Sequence, residues 1–138
     1  MILLDTHVLL WGLQDGHQIG PHTRRLLDES LIEGNLAVSA VTFTEVARLY
    51  RKGVINLGTA PDLWHEAQLA KGLRELPVTG KIALRGVSLM DSGFHSDPDD
   101  QTIVATAILG NHKLVTADRA IQKWCMRTRE VRFVDPSK

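Results

Sequence analysis

At 138 residues the chain is most simply one domain, long enough to bury a real core, and its 43% apolar and 23% charged residues are those of an ordinary globular protein. Sixteen basic and sixteen acidic residues cancel, so net charge neither supports nor excludes a nucleic-acid partner; only local clustering could. The single Cys125 excludes an internal disulfide and a cysteine-based zinc site and suits a reducing compartment. No apolar run reaches membrane-spanning length. The start, Met1-Ile2-Leu3-Leu4-Asp5, lacks the basic region of a signal peptide, so the cytoplasm is expected.

Ile2-Leu3-Leu4 is a short continuous apolar run, the mark of a strand covered on both faces in a parallel sheet. It ends at Asp5-Thr6, and Val8-Leu9-Leu10-Trp11 opens a helical pattern. Asp5 therefore stands at the carboxyl end of a strand and the start of a helix. The segment Asp15 to Pro21, with two glycines and a proline, predicts a loop. From His22 to Glu33, Leu26, Leu27 and Leu31 among charged residues predict a surface helix closed by Gly34-Asn35. Leu36-Ala37-Val38-Ser39 predicts the second strand.

Val41 to Lys52 reads as the next helix, with Phe43, Val46, Ala47 and Tyr50 facing inward. Glu45 borders that apolar face, where a carboxylate either reaches out to water or is buried beside a partner that offsets desolvation. Arg48, Arg51 and Lys52 fit a solvated face and the helix dipole; phosphate contact is the sharper alternative. Gly53 to Pro61 is turn-rich. Asp62 to Leu73 predicts a helix with Leu63, Ala67, Leu69 and Ala70 as its apolar positions and Trp64 at a lip or interface. Leu76 to Thr79 reads as extended, Gly80 to Gly86 as a short helix, and Asp91 to Ser96 as a loop.

The chain is organised around the stretch that follows, Phe94-His95-Ser96-Asp97-Pro98-Asp99-Asp100. Asp97 has the place of an N-cap, Pro98 of the first helical residue and Asp100 of the third. Ile103, Val104, Ala107 and Ile108 form an apolar stripe, and Gly110-Asn111 closes the helix. Capping and the helix dipole account for Asp97 and Asp99. They account least well for Asp100, because crowded carboxylates repel unless a cation sits among them. His95 has ligand chemistry, but a lone histidine beside a capping motif reads as a local hydrogen-bonding group and stays outside the site. His112 to Thr116 predicts a third strand, Arg119 to Trp124 a short helix, and Val131 to Val134 an edge strand.

Asp118 repeats the arrangement of Asp5, an acid at a strand exit that opens a helix. Strands alternating with helices predict a three-layer α/β/α fold with a central, mostly parallel sheet. Ligands bind such sheets beyond the carboxyl ends of the strands, at the switch point in strand order. Asp5 and Asp118 would project there, and Asp100 can reach the same rim. Capping explains each acid singly but does not predict that they share one edge. An all-oxygen set suits Mg2+ or Mn2+, and such an ion activates water for in-line displacement, so phosphodiester hydrolysis is the natural reaction. No Gly-x-Ser-x-Gly, P-loop or dinucleotide fingerprint is present.

Four segments, Met1 to His7, Thr44-Glu45-Val46, His95 to Asp100 and Leu114 to Asp118, occur in the order and approximate spacing of PIN-domain ribonucleases. The chain most resembles the VapC-type toxins of toxin–antitoxin pairs, and the resemblance runs end to end, over residues 1–138 as a single PIN-like domain. It implies that Asp5, Glu45, Asp100 and Asp118 hold Mg2+ or Mn2+ and cleave RNA. Thr6 and Thr116 would support the site, and Asp97 would be structural. It also implies a homodimer and a cognate antitoxin protein that covers the site. Two departures, Thr42-Phe43-Thr44 ahead of Glu45 and Gln101 after Asp100, are expected to bear on substrate or partner. Candidate RNA contacts are Arg48, Arg51 and Lys52 on one helix and Lys123, Arg127, Arg129 and Arg132 near the end of the chain. Two rivals remain. A phosphoaspartyl enzyme would need a second aspartate that Asp5-Thr6-His7 lacks. A catalytically silent PIN-like module would bind RNA or protein without cutting.

Overall fold

The computed structural model describes residues 1–13 and 18–138. Strand β1 (Ile2–Leu4) leads into α1 (Thr6–Leu13), then α2 (Pro21–Ile32), β2 (Leu36–Ser39), α3 (Ala40–Arg51) and α4 (Pro61–Ala70). Next come β3 (Arg74–Leu76), α5 (Gly80–Ser88), a 3-10 turn at Leu89–Ser92, and α6 (Pro98–Gly110). The chain finishes with β4 (Lys113–Val115), α7 (Arg119–Thr128) and β5 (Phe133–Val134). Of the loop expected at Asp15 to Pro21, residues 15–17 lie outside the described residues, and residues 18–20 are non-helical as expected.

The strands form one sheet in the order β3-β2-β1-β4-β5, and every pairing is parallel. The chain builds outward from β1 through β2 to β3, then returns to lay β4 on the other side. The switch in direction therefore falls between β1 and β4. Leu4 is in register with Val38 on one side and Val115 on the other. The residues just beyond, Asp5, Ser39 and Thr116, consequently emerge side by side at the carboxyl edge.

Alternation along the strands sorts the core into two layers. Leu4, Val38 and Val115 pack with Val8, Val46 and Trp64, under α1 to α4. Leu3, Ala37 and Leu114 pack with Leu89, Ile103 and Ile121, under α5 to α7. The expected α/β/α architecture is the observed one.

Local expectations fail where one pattern fits two faces of a helix. On α3 the buried positions are Thr42 and Val46; Ala47 is exposed and Tyr50 is 40% exposed. The helix is turned so that Thr42 reaches a hydroxyl on α1. On α4 the core face carries Trp64 and Gln68, while Leu63 is 55% exposed. Trp64 is thus a core residue and lies at no lip. Gly72, at φ +108°, stops that chain segment early, and the third strand in sequence is Arg74–Leu76 instead of an extended piece at Leu76 to Thr79. Its first two side chains are charged and exposed at the sheet edge, so it carries no apolar run. The helix after β4 runs on to Thr128, ended by Arg129 in the left-handed region.

Candidate functional site

The candidate site is built from the carboxyl ends of β1 and β4, the second turn of α3 and the starts of α6 and α7. Asp5, only 6% exposed, accepts the Thr6 backbone N–H at Oδ1 (2.8 Å) and the Thr116 hydroxyl at Oδ2 (2.7 Å). Burial still raises its carboxyl above the ordinary value; the Thr116 and Thr6 hydrogen bonds pull it down, and nearby Asp118 pushes it up. Thr116 is itself pinned. Its hydroxyl accepts the Asp118 N–H (3.1 Å), and its carbonyl accepts from the Gln122 side chain (2.8 Å).

Glu45 accepts the Thr6 hydroxyl at 2.7 Å. Thr6 has one hydroxyl proton, so in its 3.0 Å contact with Thr42 it is Thr42 that donates. The chain Thr42, Thr6, Glu45 ties α3 to α1 and aims the carboxylate at the rim. Burial raises the Glu45 carboxyl, Thr6 lowers it, and Asp99 and Asp5 raise it further.

Asp97 caps α6: its Oδ1 accepts the N–H groups of Asp99 (2.9 Å) and Asp100 (3.1 Å). With the cap supplied, the Asp100 side chain is not needed for capping. Its carboxyl is pushed up to about 8, first by burial and then by Asp5, Asp97, Asp118 and Glu45. Asp118 caps α7 through the Ile121 N–H (3.0 Å), so capping and rim placement coexist in one residue. Asp5, Glu45 and Asp118 each raise the Asp100 carboxyl. Of the four acids expected from the sequence, however, only Asp100 and Asp118 bring carboxylate oxygens within 4.8 Å of one another and of His95.

Four further residues belong to this neighbourhood. His95 Nε2 lies 3.3 Å from Asp100 Oδ2, and ligand-type atoms of His95, Asp100 and Asp118 all fall within 4.8 Å of one another. The sequence signal was the His-x-Asp-Pro-x-Asp spacing, in which a loop turns the histidine back over the helix start. Asp99 pairs with Arg48 at 3.0 Å, placing one of the candidate basic residues at the edge of the acid cluster. Thr42 is the hydroxyl donor described above. Gln101, 4% exposed, donates from Nε2 to the His95 carbonyl (2.9 Å). It is a tie within the loop, and Phe43 packs edge-on against Trp64 and His65. Of the departures from the expected pattern, Gln101 and Thr42 are buried and tied, Phe43 is half-buried, and Thr44 is exposed.

Burial and mutual repulsion hold Asp5, Glu45 and Asp100 above their ordinary ionisation range, so full ionisation of the set is disfavoured without a counter-charge. A divalent cation would offset that repulsion. The donor set of carboxylate oxygens, with one imidazole beside it, fits Mg2+ or Mn2+.

The PIN domain family model matches residues 2–125. The chain is 32% identical over 121 residues to Ribonuclease VapC22 of Mycobacterium tuberculosis, covering 88% of this chain and 89% of that protein. Among solved structures it is similar in fold to a toxin–antitoxin complex from Klebsiella pneumoniae, with TM-score 0.61, 20% identity, and 99% and 98% of the two chains covered. A second is VapBC2 from Rickettsia felis bound to a DNA fragment from their promoter, with TM-score 0.66, 19% identity, and 97% and 98% covered. By the family match over most of its length, and by its likeness to a relative across nearly the whole of both proteins, this chain belongs to the PIN-domain family.

Proposed function

We propose that the chain is a metal-dependent endoribonuclease acting as the toxin of a type II toxin–antitoxin pair, with residues 1–138 working as one domain. The observation that carries this reading is the acidic rim at the strand-order switch, where Asp100 and Asp118 lie within 4.8 Å of each other and of His95. There burial first, then Asp5, Asp118 and Glu45 among its neighbours, pushes the Asp100 carboxyl up to about 8. Asp5, Glu45, Asp100 and Asp118 would hold Mg2+ or Mn2+. The bound ion supplies a Lewis acid and an activated water for in-line attack on an RNA phosphodiester. The protein's own part is orientation. Thr116 and the Thr6 N–H fix Asp5, the Thr6 hydroxyl fixes Glu45, and Asp97 takes over the capping that would otherwise engage Asp100.

The name of the mycobacterial relative supports ribonuclease activity, and the toxin–antitoxin complex of similar fold supports a cognate antitoxin as partner. A homodimer is part of the proposal; Leu84 (77% exposed) and Val87 (59%) on α5 give it apolar surface to bury. No described helix is long and apolar enough to cross a membrane. Induced expression in a bacterial host should arrest growth with loss of RNA. Asp118→Asn should not arrest it, and co-expression of the protein encoded by a short upstream reading frame should relieve it. RNA retained by the purified protein without cleavage, and no growth arrest, would point to a silent binding module instead.

A further inference from the structure

His95 is fixed more closely than an incidental neighbour of the site needs to be. Its ring lies against Phe94, with centroids 4.4 Å apart, and Phe94 packs edge-on against Trp124 at 5.3 Å. Its carbonyl is held by buried Gln101 (2.9 Å). Its Nδ1 lies 3.3 Å from the Asp97 backbone nitrogen. A backbone N–H can only donate, so Nδ1 accepts, and the neutral ring then carries its proton on Nε2. That nitrogen lies 3.3 Å from Asp100 Oδ2, an ion-pair distance reached without hydrogen-bond alignment.

We propose that His95 is a positioning residue: its Nε2–H donates to the Asp100 carboxylate and keeps it turned toward the cation that Asp100 and Asp118 share. This rests on the metal reading of the four acids. Donors of this kind behind a ligating carboxylate fix its orientation and support metal affinity. Direct ligation by Nε2 is the competing arrangement. It would move the ring proton to Nδ1, opposite the Asp97 N–H, setting two donors face to face across the same 3.3 Å. The Nδ1 contact favours the tautomer that keeps the proton on Nε2, from which a small turn of either side chain allows donation.

The test is Mn2+ binding to the purified protein, measured by calorimetry and by electron paramagnetic resonance. The proteins compared are wild type, His95→Ala, His95→Gln and Asp100→Asn, each checked by thermal melting in EDTA. His95→Ala should remain folded in EDTA with a small drop in melting temperature, yet bind Mn2+ roughly 10–100-fold more weakly, the usual effect of losing such a support. His95→Gln, whose amide N–H can replace the donor, should recover most of that loss. Pulsed resonance should show no nitrogen directly bonded to the ion. Unchanged affinity in His95→Ala, no recovery in His95→Gln, or a directly bonded nitrogen would each overturn the positioning role. Wild-type affinity in Asp100→Asn would instead remove the metal reading, and the role of His95 with it.

Discussion

Asp100 is a carboxylate whose folded environment works against its own charge. With its carboxyl raised from 3.8 to about 8, the native state holds a proton that the unfolded chain has already released. Stability from this group is full below about pH 4 and is lost as pH rises toward 8. Asp5 and Glu45 move in the same direction. His112, lowered by burial, works the opposite way near its ordinary pH range, so a variant comparison is needed to isolate the acid. In EDTA the wild-type melting temperature should fall between pH 6 and 8 more steeply than that of Asp100→Asn. At pH 8 the variant should melt about 3 °C higher, the scale of 1 kcal/mol at this chain length. Saturating Mn2+ should reverse that order. Equal slopes in EDTA would mean that Asp100 is not under this strain. Asp97 behaves differently because its oxygen is spent on two backbone N–H groups. Asp97→Ala should cost about 1 kcal/mol of stability in a denaturant titration, whereas Asp100→Asn should abolish cleavage with the fold intact.

At the scale of the element, α3 shows what a pattern of residue types can and cannot give. Its existence followed from the periodicity, and so did the borderline place of Glu45. Its rotation did not, because Ala47 and Tyr50 match an inward stripe as well as Thr42 and Leu49 do. What decided it was a hydroxyl pair, Thr42 with Thr6, contributed by a helix some thirty-six residues earlier. β3 escaped for a related reason: at a sheet edge its Arg74 and Glu75 face water, so pairing with β2 leaves no apolar trace. Asp97, Pro98 and Asp118 were readable because caps are local, and their hydrogen bonds span two or three residues. The same helix α3 carries Arg48 one turn beyond Glu45, pairing with Asp99 while 60% of its side chain remains exposed. A surface pair of this kind contributes about 1 kcal/mol at most. Arg48→Ala should therefore leave the melting temperature nearly unchanged. It should weaken RNA binding, seen as a higher KM at similar kcat, with less dependence on salt. A normal KM would remove Arg48 from the RNA path.

For the whole molecule, the parallel sheet and its switch between β1 and β4 bring acids from a strand exit, a helix interior and two helix starts to one rim. Asp5 and Asp118 were placed at that edge by strand alternation alone. A shared rim for Asp5, Asp100 and Asp118 could be expected from topology, and Glu45 from family resemblance, but the strength of their coupling could not. That depends on burial and on Thr6 and Thr116, which only packing reveals. His95 was left out because the same spacing fits a local hydrogen bond, which its Nδ1 does make with the Asp97 N–H, and only packing shows its Nε2 beside Asp100. The most direct measurement is cleavage of a mixed RNA pool by the purified chain, freed of any antitoxin, with Mg2+, Mn2+ or EDTA, beside Asp5→Asn and Asp100→Asn. Cutting that requires the metal and vanishes in both variants, while both remain folded, is the expected result. Cutting that persists in EDTA, or in either variant, would contradict a metal site built from these acids.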